Sequence, residues 1–275
     1  AAHHHEIMLT LCQRIMELPL EAGTGMLRNG EPLDEPVMEA INHPIGHVAQ
    51  ALIDLWFHRE PSDGDGLPEP INSLFSKLCD VNVERFRHGR VLLGSRLIAL
   101  FRIDRAWTER HLLPLLSWEC PVEAKAVWEG FLWSPRIYPP LLTAFKADFL
   151  ECANYYAELG EHRQQFAAFL TYTALFSIDN YSTDDFRAAI GTLPQDGLEE
   201  CAQALSQALQ GTAEDQRADY WKNRVFPLWQ EAWPKERDRA TPRMAASLAR
   251  LAIAAQDEFP SACTAIRDWL RPIEH

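Results

Sequence analysis

A chain of 275 residues with 47% apolar and 24% charged residues is long enough and apolar enough to bury a sizeable core. Its apolar runs, such as Val91–Leu93, are far shorter than the roughly 18–20 residues that a membrane span needs. The net charge of −13 argues against a protein that binds nucleic acid over its whole surface. We therefore expect a globular chain that neither spans a membrane nor coats a nucleic acid.

The six cysteines lie too far apart in sequence for a CxxC pair or a zinc-ribbon spacing. They are Cys12, Cys79, Cys120, Cys152, Cys201 and Cys263. Each stands among apolar or helical residues, which predicts buried free thiols in a reducing, cytoplasmic protein. The first residues, Ala1–His5, lack an initiator methionine and resemble a tag remnant or a cut from a longer polypeptide, and we leave them out of the fold prediction.

Apolar residues recur at a spacing of three to four along most of the chain, which predicts amphipathic helices. The stripes begin at Ile45 and return near residues 93–101, 141–152, 166–173, 198–209 and 248–255. No run of four or more residues alternates as a half-buried strand would. We predict about twelve helices and an all-α fold, either an irregular HEAT-like solenoid of helical repeats or a multi-helix bundle.

Capping signals and prolines mark where these helices should begin. Ser182 is followed three residues later by Asp185, the spacing of a capping box, and Thr241 stands before Pro242 as an N-cap would. The loosest stretches are residues 60–70 and 134–140. We expect a single helical domain over residues 1–275 that divides into two lobes, 6–133 and 134–275, and forms the C-terminal part of a longer chain.

Basic residues are concentrated in one short segment. Residues 84–110 contain seven arginines and three acidic residues, a net charge of +4, between acidic flanks. The seven are Arg85, Arg87, Arg90, Arg96, Arg102, Arg105 and Arg110. On a helical wheel the first five point in several directions. We therefore predict ion pairs between helices rather than contact with nucleic acid.

Four side chains near the first long helix raise the question of a metal site. His43 and His47 are four residues apart, and Asp54 and His58 follow on the same helix face. That face lies opposite the apolar stripe, and no His-Glu-x-x-His motif is present. We predict a solvated polar face and no bound metal, with a metal-dependent hydrolase using His43, His47 and Asp54 as an alternative.

No motif for a cofactor or a nucleophile is evident. His88-Gly89 matches a dipeptide with which sirtuin-type enzymes handle a ribose, but that chemistry needs a glycine-rich loop after a strand. Neither is predicted here. We interpret the dipeptide as coincidental and expect no catalytic residue and no cofactor.

The aromatic residues near the C-terminus suggest an interface. Trp229 and Trp233 are one helical turn apart, with Arg224 and Lys235 close by in sequence. Tryptophan and arginine are enriched at the residues that dominate protein–protein binding. We predict that these four residues contribute to a protein interface.

Several stretches also resemble a known family. They are Asn42–Gly46, Phe86–Leu93, Trp128–Arg136, Asp219–Val225 and Trp233–Lys235. The chain, over about residues 40–275, resembles the C-terminal helical region of bacterial defence-associated sirtuins, long antiphage proteins whose N-terminal part is a sirtuin-like domain. The matching stretches have no known chemistry, so the resemblance assigns no catalytic residue.

The resemblance implies a function for the chain as a regulatory region. In that family the sirtuin-like part hydrolyses NAD once phage is sensed, and the helical part is thought to sense or regulate. We therefore expect a non-catalytic region that recognises a phage protein or restrains the effector domain, with a homo-oligomer left open. The alternative to a defence role is a general protein-binding helical scaffold.

Overall fold

The chain folds into two units, as seen in a computed structural model that describes residues 2–270, with side chains from His4 onward. Unit 1 comprises residues up to Arg136 together with Leu159–His162. Unit 2 comprises Ile137–Glu158 and the residues from Arg163 onward.

Unit 1 contains eight α-helices and one short hairpin among its described residues. The helices are α1 (Ala2–Glu17), α2 (Pro36–Asn42), α3 (Pro44–Phe57), α4 (Ile71–Leu78), α5 (Arg87–Ser95), α6 (Leu97–Ile103), α7 (Arg105–His111) and α8 (Pro121–Leu132). The hairpin pairs β1 (Leu27–Arg28) with β2 (Glu31–Pro32), and 3₁₀ turns cover Glu84–Phe86 and Leu113–Leu116.

Unit 2 contains nine described α-helices. They are α9 (Pro139–Ala144), α10 (Lys146–Glu151), α11 (Arg163–Phe176), α12 (Thr183–Thr192), α13 (Gln195–Gly211), α14 (Arg217–Tyr220), α15 (Phe226–Glu231), α16 (Pro242–Ala254) and α17 (Phe259–Ile266). A π-helix spans Trp221–Val225. Segments of 3₁₀ helix cover Glu214–Gln216, Arg237–Arg239, Gln256–Glu258 and Arg267–Trp269, and a further one, Cys152–His162, begins in unit 2 and ends in the four residues assigned to unit 1.

The predicted all-α class is confirmed, although the helices are shorter and more numerous than predicted. The stripe over residues 93–101 changes helix at Arg96, and the stripe over 141–152 changes helix at Phe145. An apolar stripe continues through such a break because both short helices face the same core. The hairpin was not predicted, and its turn uses Asn29 and Gly30, which both have positive φ.

Capping residues and prolines begin the helices where the sequence indicates. The Ser182 capping box is present in full, and the Thr241 hydroxyl accepts the Met244 N–H at 3.0 Å. Pro227 is the second residue after the end of the π-helix. Because proline has no N–H to donate, it interrupts the regular pattern of the preceding turn.

In unit 1, α5 lies against α2, α3 and α8, and its contact with α8 is very close. A Cβ atom on Gly130 of α8 would lie 2.1 Å from the Val91 carbonyl oxygen of α5, and one on Gly94 would lie 2.8 Å from the Val127 carbonyl oxygen. Only glycine fits at these two positions. The close approach places the C-terminal end of α8 beside α5.

In unit 2, α13 packs between α11 and α16, and a cluster of aromatic rings fills the space beside α10 and α11. Phe149 is fully buried and contacts the rings of Phe145, Phe166, Phe169 and Tyr181 at centroid distances of 5.6–6.3 Å. None of the helices in the described part of either unit combines the length and apolarity that a bilayer crossing requires.

Candidate functional site

One tryptophan differs from the other eight in its exposure to solvent. Trp56, Trp107, Trp118, Trp128, Trp221, Trp229, Trp233 and Trp269 are all buried. Trp133, at the C-terminal end of α8, is 57% exposed. An indole offers more apolar area than any other side chain, so its exposure is a costly exception that marks a candidate interaction site.

Trp133 lies in a groove that we call the Trp133 groove, formed by helices of unit 1 alone. It consists of two adjoining cavities of about 360 and 280 Å³ that share Ser95, Arg96 and Ser134. The first is also lined by Val37, Ile41, Gln50, Val91, Leu92, Gly130 and Trp133, and the second by Phe57, Leu97, Ile98, Ala99, Arg102, Phe131 and Arg136.

One side of the Trp133 ring lies against His162, which is paired with the buried Glu129. The His162 ring lies 5.8 Å from the indole, and its Nδ1 atom lies 3.4 Å from the Glu129 carboxylate. Burial raises the pKa of Glu129. The indole therefore has one supported edge, while its remaining surface faces the groove and solvent.

The basic segment of residues 84–110 builds one wall of this groove and also contributes a buried ion pair to unit 1. Arg90 is fully buried and binds Glu123 of α8 through two hydrogen bonds of 2.7 and 2.9 Å. Arg87 donates to the same carboxylate at 2.9 Å. The predicted pairing between helices is thus confirmed for Arg87 and Arg90.

Four of the five remaining arginines have other kinds of partner, so the prediction of ion pairs between helices is wrong for them. Arg102 pairs with Asp63 at 3.0 Å, and Arg105 pairs with Glu109 within its own helix. Arg85 donates to the Met16 carbonyl, and the Arg96 guanidinium lies 5.9 Å from the Phe57 ring centroid.

The four residues considered for a metal site were predicted to share one solvated face, and this prediction is wrong for His43. His43 is buried and caps α3, where its Nδ1 accepts the Ile45 N–H at 3.1 Å and its Nε2 contacts the Glu21 carbonyl at 2.9 Å. His47, Asp54 and His58 are exposed. The described residues contain no group of three or more His, Cys, Asp or Glu side chains arranged to hold a metal ion.

His88 has a structural environment inside unit 1. Its ring stacks on His43 with centroids 4.0 Å apart, and its Nε2 contacts the Ala22 carbonyl at 2.6 Å. Burial lowers the pKa of His88 to about 4, so the ring is neutral at physiological pH and donates to that carbonyl. Through their bonds to the Glu21 and Ala22 carbonyls, the two histidines stabilise the position of the segment that follows α1.

The predicted interface residues separate into buried and exposed pairs. Trp229 and Trp233 are buried in unit 2, stacked at 4.7 Å, and both contact the edge of Trp269. These two indoles therefore belong to the core in this fold and offer no surface for a partner. The prediction that Trp229 and Trp233 contribute to an interface is therefore corrected. A spacing of one turn places two rings on the same face of a helix but does not determine whether that face is buried or exposed.

Arg224 and Lys235 are exposed, and their predicted interface role stays a prediction. Arg224 donates to the Ser177 hydroxyl and lines a cavity of about 420 Å³ together with Asn180 and Asn223. Lys235 donates to the Gln230 carbonyl at 2.7 Å.

All six cysteines are free thiols, as predicted, but they are not all buried. Cys120 is exposed because it lies at the N-cap of α8, and Cys263 is half-buried. Burial raises the pKa of Cys79 and Cys201 to about 12.

The sequence did not single out Trp133 as a candidate site residue. Trp133 belongs to an apolar stretch, Trp128–Trp133, in which helical spacing alone assigns most rings to the core. The signal that could have distinguished Trp133 from the buried aromatic residues is Ser134-Pro135, because this pair follows directly and ends helix α8 there. Comparisons of the chain with protein-family models, with curated proteins and with solved structures find no match.

Proposed function

We propose that this chain is a non-catalytic recognition region that binds a protein through the Trp133 groove. The observation that carries the proposal is the exposure of Trp133 when the other eight tryptophans are buried. Exposed aromatic and arginine side chains around a concave apolar surface are the composition that dominates protein–protein binding.

We further propose a place for this function in antiphage defence. Three of the stretches that resemble the defence-associated sirtuins, Asn42–Gly46, Phe86–Leu93 and Trp128–Arg136, lie on helices of unit 1 that pack together and border the groove. On this proposal, the partner is a phage protein or the NAD-hydrolysing effector domain of the same parent chain, in the cytoplasm of a bacterium. A general protein-binding scaffold would use the same groove with a partner outside defence.

The alternative of a metal-dependent hydrolase requires His43 as a metal ligand, and the contacts of His43 leave it unable to bind a metal. Both ring nitrogens of His43 contact backbone atoms, one as the N-cap of α3 and the other at the Glu21 carbonyl. His47 and Asp54 remain as two exposed side chains, fewer than the three protein ligands of a catalytic zinc site.

Phage challenge of cells that express the full-length protein tests the proposal. Trp133→Glu places a charge at the groove and should abolish protection, while Phe176→Glu provides a matched change at an aromatic residue that is 54% exposed on unit 2. Thermal melts of both variants come first, because Trp133→Glu also removes the ring contact with His162, and protection is compared only between variants that stay folded. Full protection by a normally folded Trp133→Glu variant would contradict the proposal.

A further inference from the structure

The charge of the Trp133 groove is opposite to that of the rest of the chain. The sequence contains 39 acidic and 26 basic residues, yet the side chains that line the groove include three arginines and no aspartate or glutamate. The three are Arg96, Arg102 and Arg136. A basic groove on an acidic protein attracts anionic groups locally and leaves the rest of the surface repelling them.

These arginines are available to a partner. Arg96 and Arg136 are exposed and form no ion pair with any residue in the described part of the chain. Arg102 pairs with Asp63, but both side chains are about half exposed, so a new carboxylate could replace Asp63 at little cost. Guanidinium groups bind carboxylates through two parallel hydrogen bonds, which gives the site a preference for planar acids.

The apolar part of the groove lies directly beside these charges. Ile41, Phe57 and Trp133 are all at least one-third exposed, and Arg96 lies over the Phe57 ring. The cavity of about 360 Å³ next to Trp133 can accept one large apolar side chain. A partner that fills the groove must therefore present an apolar residue and carboxylates within a short distance of each other.

We propose that the Trp133 groove binds an acidic protein segment in which a large apolar side chain is flanked by aspartate or glutamate. This inference rests on the proposed function and adds the chemistry of the partner. The apolar residue packs against Trp133 and Ile41, and the carboxylates pair with Arg96 and Arg136. A nucleic acid has phosphates for the arginines but no aliphatic side chain for the apolar cavity beside Trp133, so the groove fits an acidic protein segment better.

Selection from a random dodecapeptide library displayed on phage tests this proposal with the intact chain as bait. Enriched peptides should combine Leu, Ile, Phe or Trp with neighbouring Asp or Glu. Synthetic copies should bind about tenfold or more weakly to Trp133→Ala and to the double variant Arg96→Glu/Arg136→Glu, since each removes a central contact. Arg110→Glu, an exposed arginine of the same basic segment that does not line the groove, should bind them like the parent.

The outcomes separate this inference from the proposed function. Peptides that depend on Trp133 but are neutral or basic, or that ignore the double arginine variant, would overturn the acidic partner and leave the recognition groove standing. A failure to enrich any peptide, or enrichment that survives both variants, would overturn the inference. Tighter binding of a single-stranded 12-nucleotide DNA than of any selected peptide, lost in the arginine variant, would assign the groove to nucleic acid instead.

Discussion

Replacing Glu123 by glutamine should be among the most destabilising single changes in unit 1. The substitution keeps the shape of the side chain but removes the charge that compensates Arg90, which has no exposed surface. It also weakens the bond from Arg87 to the same carboxylate. Removing one partner of a buried ion pair typically costs about 3–5 kcal/mol, because the remaining charge stays buried without compensation.

The Arg90 guanidinium cannot move into solvent when Glu123 is replaced by glutamine. Its Nη1 atom also donates to the carbonyl oxygens of Leu78 and Asp80, at 3.1 and 2.9 Å, where α4 ends. A rotation that exposed the guanidinium would leave those carbonyls without a donor. We therefore expect the upper part of this range rather than the lower.

Urea denaturation followed by circular dichroism measures this cost. Glu84→Gln is the matched control, because Glu84 is largely exposed and lies 3.5 Å from Arg87, an arrangement worth at most about 1 kcal/mol. A Glu123→Gln variant whose free energy of unfolding lies within about 0.5 kcal/mol of the parent would refute the claim that a buried ion pair between Arg90 and Glu123 joins α5 to α8.

Three further predictions concern other parts of the fold. Gly130→Ala should cost about 1–3 kcal/mol or more in thermal or urea unfolding because its Cβ would clash with a backbone carbonyl, whereas Gly191→Ala, with open space around it, should stabilise α12 by up to about 1 kcal/mol. The free energy of unfolding should fall as pH is lowered from about 6.5 to 4, because His88 is protonated in the unfolded chain over this range but stays neutral in the folded protein, where its pKa is lowered. The free energy of unfolding of His88→Gln, measured over the same pH range, should lack this part of the decrease. A thiol reagent added to the native protein should modify Cys120 first and Cys201 only on unfolding; rapid modification of Cys201 would contradict its burial.

The fold class was predictable because helices have a local signature in sequence. The spacing of apolar residues around Leu52 and Leu205, and the caps at Ser182 and Thr241, depend only on neighbouring residues. The breaks inside the longer stripes were not predictable in the same way. Two short helices that face one core keep the apolar spacing of a single long helix.

The site was less predictable because exposure depends on contacts between distant segments. Trp229 and Trp133 have similar neighbours in sequence, yet Trp269 covers the first, while the second remains open at the end of α8. Similarly, the sequence identifies His43 as a possible metal ligand, but its role as a cap depends on the Glu21 carbonyl, twenty-two residues away. Whether a side chain is exposed, and which distant backbone atom it contacts, is determined by tertiary packing and not by the local sequence pattern.

Site-specific photo-cross-linking is the most direct test of the central claim that the Trp133 groove holds the partner. A benzophenone amino acid is introduced in the full-length protein at position 133, or at position 176 as an equally exposed control, and the cells are irradiated during phage infection. We predict one discrete adduct with a phage protein or with the effector domain from position 133, lost when Arg96→Glu/Arg136→Glu is added, and none from position 176. Equal cross-linking from both positions, or an adduct from position 176 alone, would contradict the assignment of this groove.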